Sequence, residues 1–502
     1  MTRIIYFDMD STRPDHLGCY GYHRNTSPNI DQIASQGVRF TNCYASDAPC
    51  LPSRTALFSG RFGIHTGVID HGGIAGEPFI EGPDRKFSAR LGETSFMACL
   101  ENAGYDTVTI SSFGSRHSAW HWYAGWTQVL DPRKRGMDIA TDVAPIALDW
   151  IKRNATRDDW FLHVHFWDPH QPYRTPTAYG EPFKDDPIPG WLTEDIRQQH
   201  WNGYGPQSAQ EVTDYAYEQD WFENAFPRQP HEIASMDHVR QMFDGYDTGV
   251  RFVDDHIGQI LNALADQGVL DDTVIVISAD HGECLGEFNI YGGHRLADQH
   301  TTNVPLIIRW PGITDEHAGR VDTALHYSVD WAATVVDMIT GEVPDVWDGQ
   351  SLAEALKSGV DAGREFLVVS QGAVSAQRAV RFDDYLCIRT YHGGHHEVAD
   401  LMLFDLKNDP HELNNVSDQK QAVVNHALSL LEQWTTEMML TATHPQDPMW
   451  HVIHAHGALH ARGHLPNYLD RLKKTGRNDK AKHLEAVYAK ELEAGIRTQM
   501  GG

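Results

Sequence analysis

Cys50-Leu51-Pro52-Ser53-Arg54 puts a sulfur nucleophile, a helix start and an anion-binding cation within one turn of chain. Proline suits the first helical position, because the amide hydrogen it lacks has no intrahelical partner there. A helix running on through Ser53-Arg54-Thr55-Ala56-Leu57-Phe58 would set Cys50 at its N-terminus. Free backbone N–H groups and the positive end of the helix dipole favour an anion at that point. Arg54 can face the same point from one turn on. The plain alternative is a buried cysteine behaving as a small hydrophobe.

Two apolar runs deliver further polar groups. Arg3-Ile4-Ile5-Tyr6-Phe7 reads as a buried strand and ends in Asp8-Met9-Asp10. Thr273-Val274-Ile275-Val276-Ile277-Ser278 runs likewise into Ala279-Asp280-His281-Gly282-Glu283. Carboxylates at the carboxyl ends of strands lie where open α/β sheets bind ligands. The two-residue period of a strand turns Asp8 to the same face as Asp10. Oxygen-rich ligation suits Ca²⁺ or Mg²⁺, and an imidazole shifts preference toward Mn²⁺. A third run, Trp160 to Trp167, leads into Asp168-Pro169-His170-Gln171-Pro172-Tyr173. Within it His163 and His165 alternate with apolar residues and read as satisfied core histidines.

The form C-x-P-S-R, with Leu57, Ser59-Gly60-Arg61 and Thr66-Gly67 beyond it, resembles the nucleophile motif of the type I sulfatases in the alkaline phosphatase superfamily. The resemblance implies that a formylglycine-generating enzyme oxidises Cys50 to Cα-formylglycine, which acts as an aldehyde hydrate. It also implies one divalent ion held by Asp10, Asp280, His281 and an oxygen of modified Cys50. Many family members follow the first aspartate with another Asp, Asn or Gln. This chain has Ser11, with Asp8 as the substitute ligand.

His170 matches the family histidine that contacts the sulfate ester. His294 stands ten residues before Val304-Pro305, where many sulfatases carry a lysine that assists the leaving group. The usual G-K-W-H stretch is replaced by Ser111-Ser112-Phe113-Gly114-Ser115-Arg116-His117, so Arg116 and His117 are the residues left to supply its functions, with His117 a base for the release step. His71, in Asp70-His71-Gly72-Gly73, falls where phosphonate monoester hydrolases of the same superfamily place a polar substrate contact.

The elements that must position these groups alternate between strand and helix over residues 1–365, the pattern of a mostly parallel sheet sandwiched by helices. Helices are expected over Asn29–Gln36, Thr94–Ala103, Asp142–Lys152 and His238–Gln267. An aromatic-rich insertion over 172–230, with Trp191, Trp201, Tyr204, Tyr215, Tyr217 and Trp221, leaves the sheet, and most of its aromatics read as packing. Residues 366–440 look like a small antiparallel-sheet subdomain, with Ala379–Arg389 and Leu403–Leu406 as strands and an amphipathic helix from Gln419 to Met438. Its run Leu403 to Asn415 resembles the sulfatase C-terminal subdomain. Residues 441–502 form a His-rich extension whose His451, His454, His456, His460 and His464 match no compact ligand spacing. Packing against the main domain, or a neighbouring subunit of a homo-oligomer, is its expected role.

The chain has 502 residues and a formal charge of -28, which opposes nucleic-acid or anionic-membrane partners and favours a small anionic ester held by local positive charge. No stretch approaches the roughly 20 apolar residues of a membrane span, and the first strand follows Met1 without room for a signal peptide. A cytoplasmic protein is expected, with Cys19, Cys43, Cys99, Cys284 and Cys387 reduced. The function this reading points to is hydrolysis of sulfate monoesters. A phosphonate monoester or phosphodiester hydrolase with the same nucleophile is the alternative, and a non-catalytic sulfatase-like binding protein would need Cys50 to stay a thiol.

Overall fold

The computed structural model describes residues 2–85, 88–214 and 224–495. The strands in chain order are β1 (Arg3–Met9), β2 (Val38–Tyr44), β3 (Asp47–Ala48), β4 (Asp106–Ile110) and β5 (Gln128–Leu130). β6 (Trp160–Phe166), β7 (Thr273–Ser278), β8 (Cys284–Leu285), β9 (Tyr291–Gly293) and β10 (Asn303–Arg309) follow. The last five are β11 (Arg320–Tyr327), β12 (Phe366–Gln371), β13 (Ala376–Phe382), β14 (Tyr385–His392) and β15 (Leu401–Asp405).

Eight strands form the large sheet in the order β11-β2-β10-β7-β1-β6-β4-β5, and β10 alone runs against the others. β6 and β7 are buried along their whole lengths, as a sheet covered on both faces requires. Alternate residues of β1 serve opposite cores. Ile5, Phe7 and Met9 join the side packed by helices Pro28–Gln36, Ala140–Asn154 and Met236–Asp266. Ile4 and Tyr6 join the side packed by helices Cys50–Ser59, Phe96–Asn102 and Val329–Thr340. The same alternation turns Asp8 and Asp10 toward the Cys50 helix.

The four helices expected from periodicity are present with ends shifted by a few residues. Ser95 and Ser235 set two of the starts, their hydroxyls accepting from Ala98 N and His238 N.

The small sheet has the order β15-β14-β13-β12-β3, and helix Gln421–Thr441 packs Val424, Ala427 and Leu431 against it. Its edge strand, Asp47–Ala48, pairs in parallel with Ser370-Gln371. The sheet therefore reaches back to the residues just before Cys50 and braces the approach to the helix.

The extension beyond residue 440 folds as helices Met449–His454, Leu465–Lys474, Asn478–Val487 and Ala489–Glu493. It packs on the insertion: Tyr204 joins Leu465, Tyr468 and Leu469 in one cluster, and Arg471 and Arg477 both pair with Glu211. Tyr215, Tyr217 and Trp221 lie outside the described residues. All six cysteines are free thiols. Among the described residues no helix is long and apolar enough to cross a membrane.

Candidate active site

The Cys50 helix starts two residues earlier than expected. Pro49 is its cap and Cys50 its first residue, so Pro52 occupies the third position, still inside the turn whose amides lack intrahelical partners. All ten helical residues are buried. Ser53 Oγ donates to Asp280 O at 2.6 Å and so ties the helix to the end of β7. The helix stops at Gly60, with φ 69°, where an added Cβ would lie 1.9 Å from the Trp347 ring. Cys50 is 2% exposed and its Sγ lies 3.1 Å from His281 Nε2.

Arg54 does not face the ligand space. It turns under the sheet ends, with Nε 2.8 Å from Asp8, Nη1 2.9 Å from Asp10 and 2.5 Å from Asp280, and Nη2 2.7 Å from His165 Nε2. The expectation that it faces the anion-binding point at Cys50 is corrected: it orients the carboxylates. Asp8 is corrected with it. One of its oxygens takes Arg54 Nη2 at 3.1 Å, and the other takes Arg54 Nε and lies 3.3 Å from His163 Nε2, so both are committed away from the donor group of the other acids. Ser11 supplies no substitute ligand. Its hydroxyl donates to Asp10 Oδ1 at 3.1 Å and its N–H to Asp280 Oδ1 at 3.3 Å.

One donor atom from each of Asp10, Cys50, Asp280 and His281 lies within 4.8 Å of the other three. Three observations fit this group to a divalent cation. Asp8, Asp10 and Asp280, all buried, meet a single guanidinium, an excess of two negative charges away from water. Burial pushes Asp280 up to about 6, with the charge of Asp10 adding and Arg54 only partly relieving it. His281 commits Nδ1 to Gly282 O at 2.8 Å, which leaves the Nε2 lone pair turned to the group, the arrangement that orients metal-bound imidazoles. Asp10 is held well below the usual carboxylate range, because Arg54 and nearby histidines more than reverse the effect of its burial.

Above these residues opens a cavity of about 360 Å³ lined by Cys50, His71, Arg116, His117, His170 and His294, with Trp167, Arg174, Arg295 and His460 also on its wall. The His294 ring lies 4.3 Å from that of His281 and 5.1 Å from that of His170. All three expected histidines and His71 thus gather around Cys50. Their titration differs from expectation. Burial, with neighbouring positive groups, pushes His170 down to about 3 and holds His71, His117 and His294 well below the ordinary histidine value. His170 donates from Nδ1 to Gln171 O, leaving Nε2 for the pocket, whereas His294 Nδ1 has no hydrogen-bond partner among the described residues.

Sequence reasoning missed Arg174 and Arg295, each directly after a residue it had singled out (Tyr173 and His294), so adjacency was the available signal. Ser112, at the position of the usual lysine, is fully buried, donating to Asp138 and accepting from Trp167 Nε1 at 3.0 Å. The insertion lines the cavity through Pro172, Arg174, Gln207, Thr213, Asp214 and Phe226, not through Trp191, which stacks on His411, or Tyr204. His163 and His165 are buried and hydrogen-bonded, to Thr109 and Asp8 and to Ser111 and Arg54.

A mixed sheet sandwiched by helices, with acids and a histidine at its strand ends and a cysteine at the start of the facing helix, is an α/β fold of the alkaline phosphatase-like class. The sulfatase family profile matches residues 2–341, and the profile of the N-sulphoglucosamine sulphohydrolase C-terminal region matches 286–437. The chain belongs to the sulfatase family, a family of sulfuric ester hydrolases. It is 24% identical over 474 residues to an N-acetylglucosamine-6-O-sulfatase of Bacteroides thetaiotaomicron, covering 82% of each chain. It is also 24% identical over 453 residues to a multifunctional alkaline phosphatase superfamily protein of Trinickia caryophylli, covering 78% of this chain and 85% of that one. Among solved structures, a protein in complex with its substrate D-glucosamine-2-N,6-O-disulfate superposes with TM-score 0.68 at 21% identity, over 89% of this chain and 99% of that one. The phosphonate monoester hydrolase of Agrobacterium radiobacter gives 0.67 at 21% identity, over 87% and 96%.

Proposed function

We propose that the protein hydrolyses sulfate monoesters with a formylglycine derived from Cys50 and one divalent cation, Ca²⁺ or Mn²⁺ with Mg²⁺ as the third candidate. The observation that carries this reading is the position of Cys50 Sγ, at the floor of a cation-rich cavity and inside the Asp10, Asp280 and His281 donor group. Formylglycine, installed by a formylglycine-generating enzyme, supplies a geminal diol, whose second hydroxyl is the internal route for releasing sulfate. The cation supplies Lewis-acid polarisation of the ester oxygens.

The remaining work falls to side chains. Arg54 aims Asp8, Asp10 and Asp280 and helps to hold the first two ionised. Burial leaves the imidazoles of His170 and His294 uncharged in the free protein. The negative charge of a bound ester raises their affinity for a proton, so the acid that gives its proton to the leaving oxygen forms in the complex. Each ring keeps one nitrogen outside the described hydrogen bonds, Nε2 of His170 and Nδ1 of His294, so both stand as donors. His117 is the base for the release step. The five other cysteines, none of them in a disulfide, suit a reducing compartment, and a cytoplasmic setting belongs to this reading.

A second reading, hydrolysis of phosphonate monoesters or phosphodiesters by the same nucleophile, draws on His71 lining the cavity. Rates of one mature preparation on an aryl sulfate, a phosphonate monoester and a phosphodiester separate the two. The sulfate should be turned over fastest, and a clear preference for the phosphonate would reverse the assignment.

A further inference from the structure

The outer wall of the cavity contains groups that ester cleavage leaves unused. Residues 438–502 lie beyond both family matches, yet His460 from this stretch lines the same cavity as Cys50. Its backbone N–H donates to Ala373 O at 3.2 Å, and its Nε2 lies 2.9 Å from His71 Nδ1. Asp70 ties the two segments of this wall together, accepting from His71 N at 2.6 Å and from Leu459 N at 3.1 Å.

Arg295, only 6% exposed, is held by Gln207 through Nε and by Asp214 at 2.6 Å through Nη2. Its Nη1 has no hydrogen-bond partner among the described residues. A buried guanidinium nitrogen left this way costs free energy unless a ligand meets it. Arg116 is exposed on the same cavity, and no hydrogen bond or ion pair engages its guanidinium within the described residues. Arg116, Arg174 and Arg295 stand against one lining carboxylate, Asp214, so this wall is positive in a chain whose formal charge is -28.

We infer that Arg295 and Arg116, with His460 from the C-terminal extension, form a second anion subsite, and that the physiological ester carries another oxyanion, a carboxylate or a second sulfate, beside the ester sulfate. The inference rests on the sulfatase reading of the inner site. A guanidinium offers paired N–H donors that match a carboxylate or sulfate edge, which makes it selective for a planar or tripodal oxyanion over a neutral hydroxyl.

The test uses the mature, metal-loaded protein with phenyl sulfate and its ring-carboxylated and ring-sulfated derivatives. Wild type should prefer a doubly charged ester by about tenfold or more in kcat/KM, the scale of one charge-assisted contact. Arg295→Gln and Arg116→Gln should remove that preference through KM, and Arg295→Lys should restore part of it. Which derivative is preferred identifies the oxyanion. Equal rates on all three esters in wild type, or equal losses on all three in both variants, would overturn the subsite. If wild type cleaves phosphonate monoesters and no sulfate, the inner reading fails instead, and the same comparison with neutral and carboxylated phosphonates then decides the subsite.

Discussion

Cys50 Sγ and His281 Nε2 lie 3.1 Å apart at the floor of the cavity, with the other nitrogen of His281 committed to a backbone carbonyl. Burial, with the charges of Asp10 and Asp280 added, holds the thiol well above its ordinary value, so an unmodified Cys50 is a poor nucleophile at neutral pH. Protein made without a formylglycine-generating enzyme should therefore be inactive, and co-expression with one should restore activity. Peptide mass spectrometry of the active form should show oxygen in place of sulfur and two hydrogens fewer. Full activity with an intact thiol refutes the mechanism.

Removing acids should separate metal binding from folding. Asp10→Ala and Asp280→Ala each delete a donor and should lose the divalent ion and nearly all turnover, as should treatment with a chelator. Asp8→Ala should retain more metal and lose about 1–3 kcal/mol of stability, from the hydrogen bonds Asp8 makes to Arg54 and His163 rather than from an unpaired charge, since Asp10 and Asp280 still meet the guanidinium. Elemental analysis and denaturant titration read the two effects. Equal metal loss from Asp8→Ala and Asp10→Ala would restore Asp8 to the ligand set.

The two central histidines should differ. His294→Ala should slow esters of poor leaving groups, such as alkyl alcohols, by about 10²-fold or more, while activated nitrophenyl esters, which depart without a proton, change far less. His170→Ala is read on the same ester series, and the variant with the stronger dependence on leaving-group pKa identifies the acid, since each ring keeps one nitrogen outside the described hydrogen bonds. Rates plotted against leaving-group pKa measure this. Unchanged slopes in both variants would pass the acid role to His117.

Asp70 gives a pH signature in stability. Burial pushes its carboxyl up to about 7, against the relief of two backbone N–H groups and Arg462. A carboxyl raised on folding contributes stability that is present below its unfolded value and lost as pH rises through the folded one. Between pH 5 and pH 8 wild type should lose about 1–3 kcal/mol from this source that Asp70→Asn does not lose. Chemical denaturation of both proteins at the two pH values tests it, and parallel curves would remove Asp70 as the cause.

Strand ends and helix starts were legible from local pattern. The apolar runs before Asp8-Met9-Asp10 and Asp280-His281, and the Cys50 pentapeptide, each announce an element terminus, because periodicity and capping chemistry act over a few residues. Even there, the exact start of the Cys50 helix depended on Pro49, which pattern alone did not single out.

Which way Arg54 turns was not legible. A helix can present that guanidinium to a ligand or to the sheet, and three buried carboxylates, brought together from β1 and β7, decide it by charge. The descent of the histidine pKa values is likewise a property of burial, which single positions do not encode. Least visible of all was His460, which reaches the cavity from 410 positions beyond Cys50. Local sequence determined where polar groups meet the ends of strands and helices. Only the tertiary structure decided which of them share one desolvated space, because the Coulomb energies that select partners depend on separation in space and on exclusion of water, not on distance along the chain.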